Sequence, residues 1–287
     1  MSIAFILPDS LHYLKQSFME AFELLDYQVI CYCINDASHF ETVRKNLMQQ
    51  IALGNIKACL AINICQKHGE YIVNKEILDS IPCYLWLLDT AKDMPKDYPL
   101  FDLYKEIYTI EPSDIEYCNT VFGRTIKYLP LTAGRSLFCN NFSRFKNYTY
   151  DVSFVGLVAG SSKRIQLLNA VAKYCDKHHK KMVCYGHFWH NSHAVQNIIG
   201  RWKFKFKYPK LYKFVINKKI TPREASNLYC STIINLNIHI SRHSGFNCRT
   251  FEILGNGNFE LCDKQNLEHI NLKNKEHLVF FLKMKIN

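Results

Sequence analysis

Residues 233–263, IINLNIHISRHSGFNCRTFEILGNGNFELCD, decide the fold of this chain. Their first part, 233–238, is a short apolar run that predicts a buried strand. The polar loop 241–245 follows and ends in a glycine, which lets the backbone approach a ligand closely. Residues 247–254 then predict a helix of about two turns, which a Gly-Asn-Gly run stops. A second strand over 258–262 completes half of a doubly wound α/β sheet.

The start of the predicted helix suits a phosphate group. A helix N-terminus presents unpaired N–H groups and a partial positive charge, and ligands of doubly wound sheets bind beyond the carboxyl ends of the strands. Arg249 and Glu252 are three residues apart, so they share a face of this helix. The arginine could hold phosphate, and the carboxylate could accept hydrogen bonds from two hydroxyls of a ribose. Together they predict a site for a nucleoside diphosphate.

A longer pattern around this helix resembles a known signature. Residues 244–257 fit S-G-x-N-x-R-T-F-E-x-L-x-x-G, and a strand and an aspartate follow. The arrangement resembles the C-terminal signature of CgeB-like glycosyltransferases, which have the GT-B fold of two Rossmann-like domains. The resemblance implies that Glu252 binds the ribose of a nucleotide-sugar donor. It also assigns to the donor side four neighbouring residues: Ser244, Gly245, Asn247 and Arg249. An ordinary loop and helix of an α/β protein is the alternative interpretation.

A second pattern in the same region has to be set aside. Glu252 and Glu260 are separated by seven residues, which matches the Glu-x7-Glu pattern of retaining enzymes of this class. The predicted helix and glycine turn instead align the second glutamate of that pattern with Glu252 and the first with Ser244. We therefore interpret the literal match as a coincidence, and the stereochemical outcome stays open.

The size and composition of the chain suit a globular protein of two domains. Its 287 residues are enough for about two sizeable cores. No apolar run reaches the ~18 residues of a membrane span, and the start MSIAFILPDS lacks the features of a signal peptide. The 12 cysteines form no C-x-x-C pair. We therefore expect a cytoplasmic protein in a reducing environment, without a disulfide framework.

The first half of the chain alternates apolar runs with helical periodicity. The runs that predict strands are 3–7, 27–33, 58–63, 81–89, 107–110 and 126–131. The order of strand, E-P-S-D, helix, strand and L-P-L resembles the N-terminal domain of CgeB-like proteins, as does the tryptophan-containing strand that ends in Asp89. The sequence therefore predicts an acceptor-side Rossmann-like domain over 1–133, a linker over 134–149, and a nucleotide-sugar-binding domain over 150–287.

Two side chains near strand ends of the first domain are candidates for the catalytic base. His12 follows the first strand, where some inverting enzymes of the two-Rossmann class carry a base. A histidine at the surface or at a helix start is the alternative, because a base needs geometry as well as residue type. Asp89 ends the strand over 81–89, and the resemblance places it at the edge of the cleft. Its alternative role is that of an N-cap or turn residue before Thr90.

A second cationic position lies at the start of the second domain. A strand over 151–156 runs into a loop of Gly, Ala and Ser, and Lys163 and Arg164 then open a long helix. A flexible loop at a helix start with two cations suits a diphosphate. The G-x-x-x-x-G-K-[ST] spacing of a P-loop is absent. The resemblance, in which a basic residue stands here, makes Arg164 or Lys163 the second candidate for binding the donor phosphate.

Three histidines in the second half suggest a metal site at first. His187, His190 and His193 recur every three residues. On a helix their faces would drift by about 60° at each step, and no carboxylate or cysteine completes the set. We therefore predict solvated loop histidines and no metal.

Residues 201–214, RWKFKFKYPKLYKF, interleave cations with aromatic side chains. The net charge of +11 favours an anionic partner. Three interpretations stay open: a platform for single-stranded nucleic acid, a peripheral contact with an anionic membrane at its inner face, or an amphipathic edge element with a solvated lysine face. A glycosyltransferase with a lipid-linked acceptor would favour the membrane contact, and we do not expect nucleic acid as the partner.

Together these features predict an α/β protein with two Rossmann-like domains that acts as a glycosyltransferase. The expected donor is a nucleotide sugar, and the expected acceptor is a cell-surface glycan, a lipid-linked molecule or a protein. No cofactor or metal is expected, because cations and helix N-termini can neutralise the leaving diphosphate. CgeB-like proteins continue with further helices, so the resemblance implies a shortened C-terminal domain here. The rival hypothesis is a non-catalytic homologue, or a basic module that binds nucleic acid or a phosphorylated ligand.

Overall fold

The computed structural model describes residues 2–34, 40–67, 70–138, 148–158, 161–189, 193–239, 245–268 and 270–281. Within these ranges the chain forms two compact units. The first contains residues 2–134 and 245–246, and the second contains the other described residues from Arg135 onward. Of the predicted linker, residues 139–147 lie outside the described ranges. Arg135–Phe138 form a short helix that belongs to the second unit.

The first unit is a parallel sheet flanked by helices. Its strands are β1 (Ser2–Pro8), β2 (Gln28–Ile34), β3 (Ala58–Ile62), β4 (Gln66–Lys67), β5 (Glu70–Tyr71), β6 (Cys83–Leu87), β7 (Glu106–Thr109) and β8 (Lys127–Tyr128). Its helices are α1 (Lys15–Leu24), α2 (Phe40–Ala52), α3 (Lys75–Ser80) and α4 (Ser113–Phe122). In the described part of the chain, six strands pair in parallel in the order β2-β1-β3-β6-β7-β8, and β4 pairs with β5 in an antiparallel ribbon.

The strand β1 lies in the interior of this sheet, between β2 and β3. Its residues Ile3 to Leu7 are all buried, which explains why the sequence is apolar at consecutive positions rather than at alternate ones. Phe5 pairs with Cys31 on one side and with Leu60 on the other. The strands predicted for this half are confirmed, with ends that differ by a few residues.

The second unit repeats this plan. Its helices are α5 (Arg135–Phe138), α6 (Ser162–Lys177), α7 (Ala194–Lys207), α8 (Pro209–Tyr212), α9 (Pro222–Cys230) and α10 (Cys248–Gly255). Its strands are β9 (Tyr150–Val155), β10 (Met182–Tyr185), β11 (Val215–Ile216), β12 (Thr232–Asn237), β13 (Glu260–Asp263) and β14 (Val279–Phe281). Among described residues these strands form one parallel sheet in the order β11-β10-β9-β12-β13-β14. The predicted fold class, two Rossmann-like α/β units, is confirmed.

The stretch that decides the fold forms β12, α10 and β13, as predicted. Asn247 caps α10, because its side chain accepts a hydrogen bond from the N–H of Arg249 at 3.1 Å. The helix ends at Gly255, and Gly257 has a positive φ of 69°. The strand β13 begins at Glu260, two residues later than predicted. Asn258 belongs to the helix end instead, since its N–H donates to the carbonyl of Ile253 at 3.1 Å.

Residues 201–214 do not form an edge element of the sheet, which was one interpretation of their sequence. They form the C-terminal half of α7 and the short helix α8, and β11 at the sheet edge begins only at Val215. Two lysines of this stretch, Lys210 and Lys213, form ion pairs of 2.5 and 2.6 Å with Asp176 on α6. No helix among the described residues combines the length and the apolar character needed to cross a bilayer.

Candidate functional site

The candidate site lies at the carboxyl ends of β9, β12 and β13, which are neighbours in the second sheet. The helix α6 follows β9, and its N-cap is Ser161, whose hydroxyl accepts a hydrogen bond from the N–H of Arg164 at 3.4 Å. The helix α10 follows β12 after residues 240–244, which lie outside the described ranges. Because parallel strands bring their carboxyl ends to one edge, the sheet places the N-termini of both helices at that edge.

Arg164 is buried at the start of α6, with 7% of its surface exposed. Its Nε donates to the carbonyl of Ile238 at 2.7 Å, and its Nη1 donates to the carbonyl of Leu157 at 2.5 Å. Burial, together with the charge of Arg249, lowers the pKa of the guanidinium to about 10, whereas the charge of Asp263 opposes the shift. The structure therefore brings the two predicted arginines close enough for their charges to repel.

Lys163, the neighbouring candidate, forms an ion pair with Asp263 at the end of β13. Its Nζ also lies 3.5 Å from the carbonyl oxygen of His239. Burial alone would raise the pKa of Asp263, but hydrogen bonds from His239 and Lys163 lower it to about 2. Asp263 is therefore ionised at neutral pH and balances one of the three cations Lys163, Arg164 and Arg249.

His239 is a site residue that the sequence did not reveal. It is buried, with 2% of its surface exposed, and its backbone N–H donates to Asp263 Oδ1 at 2.7 Å. Its Nδ1 lies 2.9 Å from the same oxygen, and its Nε2 lies 3.4 Å from the backbone N of Asn247. Burial lowers the pKa of the imidazole. A neutral ring that donates from Nδ1 to Asp263 and accepts at Nε2 satisfies both contacts and supports the N-terminus of α10.

A buried polar network lies beneath α10 and holds it to the sheet. The side-chain amides of Asn237 and Asn247 bond reciprocally at 3.0 Å. The Oε1 atom of Glu260 accepts from Asn237 Nδ2 at 2.8 Å and from the Thr250 hydroxyl at 2.9 Å. Burial raises the pKa of Glu260 to about 7, although these two bonds oppose the shift. The contacts of Glu260 are those of a residue that holds α10 in place, in line with the interpretation of its spacing from Glu252 as a coincidence.

Arg249 and Glu252 are both half-buried on α10. Burial raises the pKa of Glu252, while the charge of Arg249 and hydrogen bonds from Cys248 and Tyr229 lower it. The Tyr229 hydroxyl, on the neighbouring helix α9, lies 3.4 Å from Glu252 Oε2. The two residues thus interact electrostatically, as expected for neighbours on one helix face. Tyr229 is a further partner that the sequence did not indicate.

Gly245, the glycine of the predicted loop, lies close to other backbone of the protein. Gly245 belongs to the first unit, where its N–H donates to the buried Glu111 Oε2 at 2.9 Å. A Cβ at this position would lie 2.1 Å from the carbonyl oxygen of Ile110, so only glycine fits. Ser244, the other predicted donor residue of this loop, lies outside the described residues.

The two candidate bases follow strands of the first sheet. His12 is exposed on a 3-10 helix (Asp9–Leu14) after β1, and its Nδ1 lies 3.9 Å from Asp9 Oδ1. Asp89 is exposed after β6, and its Oδ2 accepts from Asn63 Nδ2 at 2.9 Å. The N-cap of the following 3-10 helix is Thr90, so the alternative role of Asp89 as that cap is wrong. Asn63, which orients Asp89, was not predicted.

A metal ion has no evident place in the described part of the chain. No group of three or more His, Cys, Asp or Glu side chains there is arranged to hold one. Of the three spaced histidines, His190 lies outside the described residues. His193 precedes α7 as its N-cap residue, and burial lowers the pKa of His187.

Two parallel six-stranded α/β sheets among the described residues define a fold of the GT-B class. A glycosyltransferase from Rickettsia africae ESF-5 is similar, with a TM-score of 0.59 and 11% identity over 94% of this chain and 82% of that one. Sucrose-phosphate synthase from Thermosynechococcus elongatus gives a TM-score of 0.62 at 10% identity, over 98% of this chain and 85% of its own. The S. aureus MnaA–UDP complex gives 0.53 at 7% identity, over 91% and 78%. At these identities the likeness establishes the fold.

The particular family signal lies in the second unit. Residues 164–284 match the protein family described as Glycosyl transferase-like. The matched region begins at Arg164 and includes Arg249, Glu252 and Asp263. No curated protein sequence matches this chain.

Proposed function

We propose that the protein is a glycosyltransferase, of the CgeB-like kind, that moves a sugar from a nucleoside diphosphate donor to a cell-surface glycan, a lipid-linked molecule or a protein. The observation that carries this proposal is that α6 and α10, which follow the neighbouring strands β9 and β12, carry Arg164 and Arg249 in their first turns. The charge of Arg249 lowers the pKa of Arg164, so the two cations repel each other. Each guanidinium makes the charge of the other less favourable. A bound diphosphate would turn that repulsion into attraction, and the helix N-termini would add N–H donors.

The position of Glu252 suits the ribose of such a donor. It lies one turn after Arg249 on α10 and is half-buried, so its carboxylate can contact both protein and ligand. A carboxylate accepts two hydrogen bonds from neighbouring hydroxyls, which distinguishes a nucleotide from a simple phosphate. The match of residues 164–284 to the Glycosyl transferase-like family and the UDP bound to MnaA support the same donor class.

Catalysis by these residues would rest on electrostatic stabilisation of the leaving diphosphate. Lys163, Arg164 and Arg249 supply positive charge at an edge where His239 and Asp263 hold the surrounding backbone in place. Preorganised charges of this kind lower the transition-state free energy without a metal. Asp89 and His12 remain the candidates for the base that would activate an acceptor.

The test is titration calorimetry of the full-length protein with UDP, GDP, ADP and CDP. We expect saturable binding of at least one nucleoside diphosphate, and at least a tenfold loss of affinity in Glu252→Ala because a half-buried acceptor for the ribose hydroxyls is removed. The matched control is Glu268→Ala, which removes an exposed glutamate of the same unit and should leave the affinity unchanged.

A titration with single-stranded RNA tests the rival hypothesis, a basic module that binds nucleic acid. A basic module would bind single-stranded RNA with an affinity that falls steeply with salt, and that binding would survive Glu252→Ala. Release of free sugar or transfer from a sugar nucleotide would distinguish a catalyst from a homologue that only binds. Absence of nucleoside diphosphate binding in the folded wild type would overturn the proposal.

A further inference from the structure

Helix α7 carries an apolar stripe on its exposed side. The members of the stripe, with their exposed fractions, are Val195 (68%), Ile198 (59%), Ile199 (47%), Trp202 (67%) and Phe206 (90%). At about 100° per residue, these five positions fall within an arc of about 100°. Single exposed apolar side chains are ordinary on protein surfaces, but a continuous stripe along a helix marks an interaction surface.

Cations flank this stripe on both sides. At the same angular spacing, Arg201 and Lys205 fall along one border, and Lys203 and Lys207 fall along the other. The helix sequence, AVQNIIGRWKFKFK, contains no acidic residue. Lys205 Nζ lies 5.5 Å from the centre of the Trp202 ring, so a cation and an aromatic ring meet at the border itself.

The opposite face of α7 anchors the helix to the second unit. Phe204 is buried there, and its ring lies 5.7 Å from Phe188 and 5.3 Å from Trp189. Gly200 lies against Trp189, because a Cβ at this glycine would come within 3.1 Å of the tryptophan Cβ. The Nε1–H of Trp189 donates to Asn197 Oδ1 at 2.8 Å. These contacts fix the orientation of α7, so the stripe stays on the exposed side of the helix.

We propose that the stripe of α7 docks on an anionic lipid surface. A helix that lies in a membrane interface buries an apolar face among the acyl chains, while lysine and arginine reach up to the phosphates along its borders. The α7 surface has both features, with a tryptophan in the apolar face, where the ring suits the interface. A second protein chain would have to neutralise four cations at once. The inference stands independently of the proposed transferase function.

The test is flotation of the full-length protein with two kinds of vesicle. One kind is made of phosphatidylcholine alone and the other of equal parts phosphatidylglycerol and phosphatidylcholine. We expect binding to the anionic vesicles and at least a tenfold lower partition coefficient for Trp202→Ala/Phe206→Ala, since two apolar side chains no longer insert. The matched control is Leu24→Ala/Leu25→Ala, which removes two side chains that are 67% and 65% exposed on α1 and its C-cap and should bind as the wild type does.

The charge arm of the test uses Lys203→Gln/Lys207→Gln, with the exposed pair Lys57→Gln/Lys75→Gln as its control. Only the α7 pair should weaken binding to anionic vesicles, by about tenfold or more, because each cation near an anionic surface adds about 1 kcal/mol. Insertion itself is read from tryptophan fluorescence. Lipids brominated in their acyl chains should quench the wild type more strongly than Trp202→Phe.

Three results would overturn the proposal. The first is equal binding of wild type and Trp202→Ala/Phe206→Ala to anionic vesicles. The second is a dimer of the wild type in sedimentation velocity that the same double substitution makes monomeric, which would assign the stripe to a second copy of the chain. The third is binding of single-stranded RNA through the stripe in the absence of any vesicle binding.

Discussion

The carboxyl group of Glu260 lies fully buried beneath α10, and its two oxygens have different surroundings. Oε1 accepts hydrogen bonds from Asn237 and Thr250. Oε2 is buried without a hydrogen-bond partner in the described part of the chain. Ionisation at such a place is unfavourable because burial takes the carboxylate out of bulk solvent, and the negative charge of Asp263 adds to the cost. That is the physical reason why burial raises the pKa of this group from 4.5 to about 7.

This residue gives a pH-dependent stability with a defined sign. Between pH 4.5 and about 7 the unfolded chain has lost the proton that the folded chain keeps, so stability falls as the pH rises through this window. The loss amounts to roughly 3 kcal/mol, at about 1.4 kcal/mol per pKa unit. Glu260→Gln keeps the shape without the charge. We expect its stability relative to the wild type to rise by roughly that amount between about pH 4.5 and about pH 8.

Urea unfolding of both proteins at the two pH values measures this difference. Glu268→Gln serves as the control, because Glu268 is exposed and its substitution should change stability equally at both pH values. A pH-independent difference between wild type and Glu260→Gln would show that folding does not raise the pKa of this carboxyl.

Residue-level prediction from the sequence succeeded where the partners are close along the chain. Arg249 and Glu252 share a helix turn, so their spacing alone predicted that they lie on one helix face. His239 and Asp263 are 24 residues apart, and their contact depends on how β12 pairs with β13. That register cannot be deduced from two short apolar runs, so neither residue could be assigned a role. Asn63 escaped notice for the same reason, since its contact with Asp89 joins two strands.

At the scale of elements, α10 depends on its cap more than an ordinary surface helix does. Asn247 accepts from the N–H of Arg249, and its side chain also bonds reciprocally with the buried Asn237. Asn74 makes the same kind of cap on α3, accepting from the N–H of Ile77 at 3.1 Å. The two asparagines therefore make the same kind of helix cap, but only Asn247 also bonds with a buried side chain, that of Asn237.

We expect Asn247→Ala to destabilise the protein more than Asn74→Ala. Loss of either cap costs about 1 kcal/mol. Loss of Asn247 also removes hydrogen-bond partners of the buried Asn237, which costs about 1–3 kcal/mol more. Denaturant unfolding of the two variants measures the difference. Equal destabilisation would mean that Asn237 finds another partner and that the network beneath α10 is not cooperative.

The sequence predicted α10 well, because a capping residue, apolar spacing and a glycine stop agree there. It was less successful for α7. The aromatic and basic run at 201–214 predicted a surface element, but the apolar stripe begins earlier, at Val195. Its exposure cannot be deduced from periodicity alone. Amphipathic spacing normally indicates a face turned to the core. Here the single buried Phe204 marks the core face, and five other apolar side chains of α7 point outward.

At the scale of the whole molecule, the fold class was predictable because strands alternate with helices twice along the chain. Several buried strands, such as Ile3 to Leu7, are apolar throughout, which is typical of parallel sheets covered on both sides. The net charge of +11 indicated an anionic partner without locating it. In the structure, many of these cations lie in three places. Lys210 and Lys213 pair with Asp176, and four other cations border the stripe of α7. Lys163, Arg164 and Arg249 lie at the carboxyl ends of the strands of the second sheet.

In the proposed site, Arg249 contacts the diphosphate and Glu252 contacts the ribose of one nucleotide. Calorimetry with the best-bound nucleoside diphosphate, its monophosphate and its 2′,3′-dideoxy form tests this directly. We expect Arg249→Ala to lose the preference for diphosphate over monophosphate, about tenfold or more, and to keep the preference for the ribose hydroxyls. Glu252→Ala should lose the preference for the ribose hydroxyls and keep the preference for diphosphate over monophosphate. If both variants weaken all three ligands equally, or neither weakens any, the assignment of these two residues is contradicted.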